Sequence, residues 1–288
     1  MNAIREEIII KYDKKRGFEE IKDALAVEEP LEIRLAYGSI EQRTKMSLTV
    51  TMRTPGNDID LVTGFLFGEG IIQERSDILT IQQVPTQHQA SKGNILQVDL
   101  HPKLAFDPKK LERHFYTTSS CGVCGKTSIE AIHTRCAFTV AAQGPDFSPE
   151  QLFQLQHQLN SKQTLFNQTG GLHAAAIFNK QGQIILVRED IGRHNAVDKV
   201  VGALLIQQEP PMHAFGLLVS GRAGFELVQK AVMAGIKTMV AVGAPSSLAV
   251  QLAQNSNIRL VGFLKKTGFN DYGGVKQNMS HKESLKNS

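Results

Sequence analysis

The sequence of 288 residues contains no tryptophan, and its 14 phenylalanines and 4 tyrosines do not alternate with basic residues. Proteins that bind single-stranded nucleic acid combine stacked aromatic rings with a strongly basic groove. The formal net charge of this chain is only +4. The composition therefore disfavours a nucleic-acid partner.

Long hydrophobic runs are also missing. No stretch approaches the roughly 18 apolar residues that a membrane helix needs, and residues 1–7 become charged before a signal peptide can form. We therefore expect a cytoplasmic protein without membrane contacts. Cysteine is scarce as well, and three cysteines do not make a disulfide framework. In a reducing compartment, a close cysteine pair indicates redox, metal or nucleophilic chemistry.

The hydrophobic pattern predicts an α/β fold. Residues 1–116 carry mostly alternating segments and form a predicted β-rich N-terminal domain. In its clearest strand, one face carries Met46, Leu48, Val50 and Met52. Residues 129–276 alternate strands with helices, which predicts a C-terminal α/β domain with a largely parallel sheet. Between the two domains we expect a mobile cysteine loop at 117–128, and after them a polar tail at 277–288.

Local signals place two helix ends in the second region. Ser148 is a predicted N-cap, with Pro149 at the first helical position and Gln151 completing a capping box. Gly235 is predicted to end a later helix as its C′ residue. Both signals depend only on neighbouring residues.

The cysteine pair lies in a segment of small residues. A glycine follows both Cys121 and Cys124, and together with Lys126 this arrangement favours a thiolate over a thiol. Two cysteines at this spacing can share a metal, form a disulfide, or act as attacking and resolving thiols. The spacing alone does not choose among these possibilities.

Three alternatives compete for the cysteine pair. A zinc site could be completed by His133 and Cys136 downstream. A zinc deaminase would need a glutamate two residues after His173, where alanine stands instead. A thioredoxin-like dithiol would need a strand directly before the pair, and none is predicted there. The zinc-binding structural or interaction protein is therefore the main competitor to a thiol-based function.

Two further segments link a strand to a helix, where parallel sheets usually bind ligands. Residues 188–195 are mostly polar, and the alternative for them is a solvated loop in which Asp190 or Asn195 caps a helix. Residues 220–224 contain Arg222 among glycines and could hold an anion. His173 enters a predicted strand, where a histidine is more often a hydrogen-bonded core residue than a ligand.

Read together, these segments resemble the FdhD family of formate dehydrogenase accessory sulfurtransferases. The resemblance covers nearly the whole chain, and its motifs occur in the family order. They are residues 30–34, 52–58, 64–66 with 69–72, the cysteine motif, 171–175, 190–199 and 220–222. The resemblance implies a cytoplasmic carrier that takes sulfur from a cysteine desulfurase and delivers it to the molybdenum cofactor before insertion into formate dehydrogenase. It also implies a three-layer, cytidine-deaminase-like C-terminal domain and a homodimer.

The resemblance assigns roles to particular residues. Cys121 would carry the persulfide and Cys124 would assist it. The ligand would be Mo-bis(molybdopterin guanine dinucleotide), with GDP as a fragment of it, and no metal would be tightly bound. The family's cofactor-binding segment matches Phe263, Leu264, Lys265, Lys266, Thr267 and Gly268, and the positions at strand ends add Arg222, Arg193 and His194.

Overall fold

The computed structural model describes residues 2–86, 92–108, 144–207 and 211–273 of the chain. The predicted cysteine loop, the polar tail and the predicted domain boundaries at 116 and 129 lie outside these ranges, so the domain division stays a prediction. Also outside are the candidate zinc ligands Cys121, Cys124, His133 and Cys136. Within the described ranges, no helix is both long and apolar enough to cross a bilayer.

The N-terminal part consists mainly of strands, as the alternating segments predict. The strands are β1 (Ile4–Asp13), β2 (Gly17–Ala26), β3 (Glu29–Gly38), β4 (Arg43–Arg53), β5 (Ile78–Gln83) and β6 (Ile95–Leu100). β1 and β2 form a two-stranded sheet, and the other four form a sheet in the order β4-β3-β6-β5. Helix α1 (Asp58–Gly68) and a short 3-10 turn (Arg75–Asp77) lie between β4 and β5.

A β-bulge changes which side chains of β4 are buried, so the predicted burial is partly wrong. The pairing of β3 with β4 shifts by one residue at Leu48, which is the extra residue of the bulge. An extra residue reverses the alternation of side chains beyond it. Val50 and Met52 are therefore 60% and 46% exposed, although Leu48 is buried. The prediction that they share one buried face with Met46 is wrong for these two residues.

The C-terminal part alternates strands and helices around one sheet. The strands are β7 (His173–Phe178), β8 (Ile184–Asp190), β9 (Gly216–Val219), β10 (Thr238–Ala241), β11 (Arg259–Lys265) and β12 (Gly268–Asp271). The helices are α2 (Pro149–Lys162), α3 (Thr164–Thr169), α4 (Arg193–Gln207), α5 (Phe225–Met233) and α6 (Ser247–Asn255). The six strands lie in the order β12-β11-β10-β9-β7-β8.

Helices cover both faces of this sheet. Leu217 and Met239 point to the core shared with α4, α5 and α6. Their chain neighbours Leu218 and Val240 point to a second core, shared with α2. The first core continues into the N-terminal part through α1 and the inner face of β3. The predicted α/β class is confirmed, and the C-terminal part has three layers.

The C-terminal sheet is mixed, which corrects the prediction of a largely parallel sheet. Only β9, β10 and β11 are parallel neighbours. β7 runs antiparallel to both β8 and β9, and β12 runs antiparallel to β11. Short turns join β7 to β8 and β11 to β12, and strands joined by so short a turn can only be antiparallel. Because β8 and β9 both run antiparallel to β7, they run in the same direction as each other. The strands β8, β9, β10 and β11 therefore still end at the same edge of the sheet.

The N-terminal and C-terminal parts meet where α1 crosses α4. A β-carbon added to Gly202 would lie 1.9 Å from the carbonyl oxygen of Asp60, and one added to Gly64 would lie 1.9 Å from the carbonyl oxygen of Asp198. The helices can approach this closely only because neither crossing residue has a side chain.

We expect Gly202→Ala to lower the free energy of unfolding by about 3 kcal/mol, measured by urea denaturation. In an exposed helix the same change would add about 1 kcal/mol of stability. Here the methyl group meets backbone atoms, which cannot rotate away. The control is Gly224→Ala, whose added β-carbon has no atom within 4 Å, and it should change the stability by less than about 1 kcal/mol. Equal stabilities of the two variants would contradict the tight crossing.

Candidate functional site

Three strand ends at the common edge of the sheet are joined by hydrogen bonds. The N–H of Gly243 donates to the carbonyl oxygen of Gly221 at 2.9 Å, and the N–H of Phe263 donates to that of Gly243 at 3.1 Å. A β-carbon at Gly243 would lie 2.9 Å from the backbone nitrogen of Arg222, so a side chain there would push the turns apart. We call Gly221, Gly243 and Phe263 the turn shelf.

Phe263 has a backbone conformation that is rare for residues with a side chain. Its φ is 54°, in the left-handed region. The pairing of β11 with β12 is irregular between Gly262 and Lys265, and Phe263 is 39% exposed whereas Leu264 is fully buried. Such strained residues cluster at ligand sites, where the surrounding structure holds them in place.

Positive charge gathers along this edge. Arg193 begins α4, Arg222 follows Gly221, and Lys265 and Lys266 lie at the turn between β11 and β12; all four side chains are exposed. The N-termini of α4, α5 and α6 also lie here, because each helix follows a strand that ends at this edge. Helix N-termini carry positive partial charge. The edge is therefore suited to an anion with several charges.

Two side-chain pairs link the N-terminal halves of α4 and α5. His194 Nε2 lies 2.8 Å from Glu226 Oε2, with both side chains 32% exposed. One turn further along α4, Asp198 Oδ1 lies 2.6 Å from Lys230 Nζ. Burial raises the pKa of Asp198 to about 6, although the Lys230 ammonium acts in the opposite direction. The two pairs hold both helix N-termini at this edge.

A buried polar cluster joins the end of β8 to the N-terminal part. Asp190 is fully buried, and its Oδ2 lies 2.7 Å from Lys199 Nζ and accepts a hydrogen bond from Thr54 N–H at 3.2 Å. Lys199 Nζ donates to the Thr54 carbonyl oxygen at 2.8 Å, and Asn195 donates to the Met52 carbonyl oxygen at 2.7 Å. We call Thr54, Asp190, Asn195 and Lys199 the interlock. The alternative of a solvated loop is wrong for Asp190 and Asn195.

Most of the predicted cofactor-binding residues reach this edge. Those with exposed side chains are Arg193, Arg222, Phe263, Lys265, Lys266 and Thr267, while Gly268 is partly buried. Leu264 is fully buried because it faces α2, so only its backbone is available to a ligand. The segment is also not a loop, since its first three residues belong to β11. Cys121 and Cys124 lie outside the described residues, and within those residues no group of three or more metal-ligating side chains occurs.

The similarity of this chain to known proteins covers the whole of this site. The model of the FdhD/NarQ family matches residues 26–279, which include the cysteine pair, the interlock and the turn shelf. The chain belongs to the FdhD/NarQ family. The resemblance observed in the sequence is thereby confirmed.

Two relatives of this FdhD/NarQ family member show how far the similarity extends. The sulfur carrier protein FdhD of Mycolicibacterium paratuberculosis is 50% identical over 252 residues, which cover 87% of this chain and 90% of that protein. The sulfur carrier protein FdhD of Thermoplasma volcanium is 40% identical over 273 residues, which cover 94% and 95% of the two chains. Both similarities therefore span nearly the full length of each protein.

A solved structure has the same fold as this family member. It is the crystal structure of a candidate formate dehydrogenase accessory protein from Desulfotalea psychrophila, with a TM-score of 0.68. The similarity covers 96% of this chain and 99% of that protein, at 21% sequence identity. At this identity the comparison shows the fold alone.

Two residues that shape the site in this family member were only weakly indicated by the sequence. Glu226 was not singled out, and Lys199 was recognised only as part of a motif. The available signal was weak, because both residues lie inside helices whose apolar pattern dominates. A lysine among the apolar residues of α4, one turn after Asn195, was the one feature that indicated a buried partner.

Proposed function

We propose that this protein is a sulfur carrier. It takes persulfide sulfur from a cysteine desulfurase and passes it to Mo-bis(molybdopterin guanine dinucleotide) before that cofactor enters formate dehydrogenase. Membership of the FdhD/NarQ family, with a 50% identical relative named as a sulfur carrier protein, carries the proposal. The name of the structural neighbour supports the formate dehydrogenase part.

In this proposal Cys121 accepts the sulfur. Its thiolate attacks the terminal sulfur of the desulfurase persulfide, the desulfurase cysteine leaves as a thiolate, and Cys121 becomes a persulfide. Cys124 then attacks the inner sulfur of Cys121, and the outer sulfur leaves as hydrosulfide. The two thiols supply the two electrons and end as a disulfide, which a dithiol reductant opens again.

The turn shelf supports the second half of the proposal, which is the binding of the cofactor as substrate. The guanine dinucleotides of that cofactor carry several phosphate charges. Arg222, Lys265 and Lys266 are exposed cations at the shelf, and the N-termini of three helices add positive partial charge. The ring of Phe263 offers an apolar surface for a base.

Further parts of the proposal follow from the family resemblance. They are a homodimer, a cytoplasmic location and the absence of a tightly bound metal. Metal analysis of protein purified under reducing conditions separates the proposal from its zinc-binding competitor. One zinc per chain that is lost on Cys121→Ala would favour the competitor.

Mass spectrometry tests the carrier function directly. We expect incubation with a cysteine desulfurase and cysteine to add about 32 Da, the mass of one sulfur atom, to the wild-type protein. Reduction with a dithiol should remove this mass, because a persulfide is reducible. A protein whose mass stays unchanged under these conditions would not be a carrier for that donor.

A GDP titration tests the cofactor site. We expect saturable binding by the wild type, and about tenfold weaker binding by Arg222→Ala and by the Lys265→Ala/Lys266→Ala double variant, because charge-assisted hydrogen bonds to phosphate are lost. Higher salt should weaken binding further. The control is Lys180→Ala, in the exposed turn between β7 and β8 at the opposite edge of the sheet. Equal affinities of all four proteins would remove these residues from the site.

A further inference from the structure

His173 lies beside the turn shelf and has no role in the function proposed above. We propose that the imidazole of His173 becomes protonated when a phosphate-bearing ligand binds at the turn shelf. The proton comes from the solvent. This inference rests on the proposed nucleotide site. It concerns a binding-linked proton and not a step of sulfur transfer.

The position of His173 is set by the shelf itself. The residue begins β7, and the next residue, Ala174, donates its N–H to Ser220 Oγ at 2.9 Å. A β-carbon added to Gly221 would lie 3.3 Å from His173 Nδ1. The imidazole is therefore packed against the backbone of the turn that carries Arg222.

The imidazole of His173 is half-buried and has no hydrogen-bond or ion-pair partner among the described residues. His194, the other histidine at this edge, differs because Glu226 already holds its Nε2. A half-buried imidazole without a partner costs free energy unless a ligand or water satisfies it. A phosphate oxygen is an acceptor that a protonated imidazole can satisfy.

The charges around His173 make the pKa of its imidazole depend on whether an anion is bound nearby. Burial lowers its pKa, and the positive charges of Arg193 and His194 lower it further, whereas Asp190 acts in the opposite direction. The Asp190 carboxylate is already paired with Lys199. A bound phosphate would screen the cations and add negative charge, and both effects favour the imidazolium. Ligand binding should therefore raise the pKa of His173 towards or above its ordinary value.

Isothermal titration calorimetry of GDP measures this proton. Binding to the full-length wild type is compared near neutral pH in two buffers with low and high ionisation enthalpies, and the difference in apparent enthalpy gives the protons taken up. We expect proton uptake by the wild type and a clear loss of it in His173→Gln. The control His157→Gln alters an exposed histidine on α2 and should behave as the wild type. The protonation of GDP itself is the same in all three titrations.

The affinity of GDP should show the same linkage. In the wild type it should fall more steeply with rising pH than in His173→Gln, by up to about tenfold per pH unit for one proton. If the wild type and His173→Gln take up the same number of protons when they bind GDP, the inference is wrong while the nucleotide site stands. If uptake persists in His173→Gln and disappears in His194→Gln, the inference is also wrong. Absence of saturable GDP binding would overturn the nucleotide site and this inference with it.

Nuclear magnetic resonance gives a readout that needs no folded variant. The Cε1 proton of His173 in the wild-type protein is followed against pH with and without saturating GDP. We expect the midpoint of its titration to move to higher pH when GDP is bound. An unchanged midpoint would contradict the inference, because a purely structural histidine would not respond to the ligand.

Discussion

Cys121→Ala is expected to abolish sulfur transfer and to leave the protein folded. The reason is chemical, because alanine has no thiolate to attack the donor persulfide. In cells that lack the native copy, formate dehydrogenase activity should stay at the level seen without any carrier. Purified Cys121→Ala should gain no sulfur mass after incubation with the desulfurase, and its circular dichroism spectrum should match that of the wild type.

The matched control for this prediction is Cys124→Ala. This variant should still take up one sulfur atom at Cys121, but it should release the sulfur more slowly because the resolving thiol is missing. Full formate dehydrogenase activity with Cys121→Ala would show that the first cysteine is not the carrier. A defect confined to Cys124→Ala would reverse the two roles.

Lys199→Met is expected to lower the free energy of unfolding by about 3–5 kcal/mol. Methionine keeps a similar apolar stem but removes the ammonium group, which lies 2.7 Å from Asp190 and donates to the Thr54 carbonyl oxygen. Asp190 is fully buried, so its charge would lose its counter-ion without gaining contact with water. The measurement is urea denaturation followed by circular dichroism.

The control for Lys199→Met is Lys180→Met, which removes the same charge from an exposed turn. It should change the stability by no more than about 0.5 kcal/mol. Losses of similar size in the two variants would mean that the interlock does not stabilise the fold.

Local signals in the sequence were reliable where the interacting residues are neighbours in the chain. Ser148 accepts a hydrogen bond from Gln151 N–H, and Gln151 Oε1 accepts one from Ser148 N–H, which confirms the predicted capping box. Gly235, with a φ of 70°, follows the end of α5 as predicted. These features depend on a few adjacent residues, so tertiary contacts do not change them.

The faces of strands were less predictable. The bulge at Leu48 reverses the alternation in β4, and a bulge depends on how the neighbouring strand pairs. β2 was missed because its hairpin with β1 leaves apolar side chains such as Ile8 and Phe18 65% and 78% exposed. In β2, pairs of polar residues at 19–20 and 22–23 separate the apolar residues. β2 therefore lacks the strict alternation from which a half-buried strand is recognised.

The chemistry of the candidate site could be read from the sequence, but its assembly could not. Arg222 was proposed from its residue type and its position at a strand end, whereas Phe263 and the lysine pair were assigned by the resemblance to the family's cofactor-binding segment. Their meeting at one edge was expected from a parallel sheet, and it occurs in the mixed sheet because β9, β10 and β11 are still parallel neighbours. His173 reaches the same edge because β7 begins where its neighbours end.

The sequence by itself determined the α/β class and the family and supplied the candidate residues for charge and for sulfur transfer, because these depend on residue type, order and short-range periodicity. Only the tertiary structure decided which polar residues are buried. Asp190 and Lys199 read as parts of a polar motif, yet they form an ion pair that joins β8 to the segment after β4. The crossing of α1 and α4 was equally hidden, since Gly64 and Gly202 meet across a separation of more than a hundred residues. Contacts between distant segments depend on the packing of whole elements, which no local pattern in the chain records.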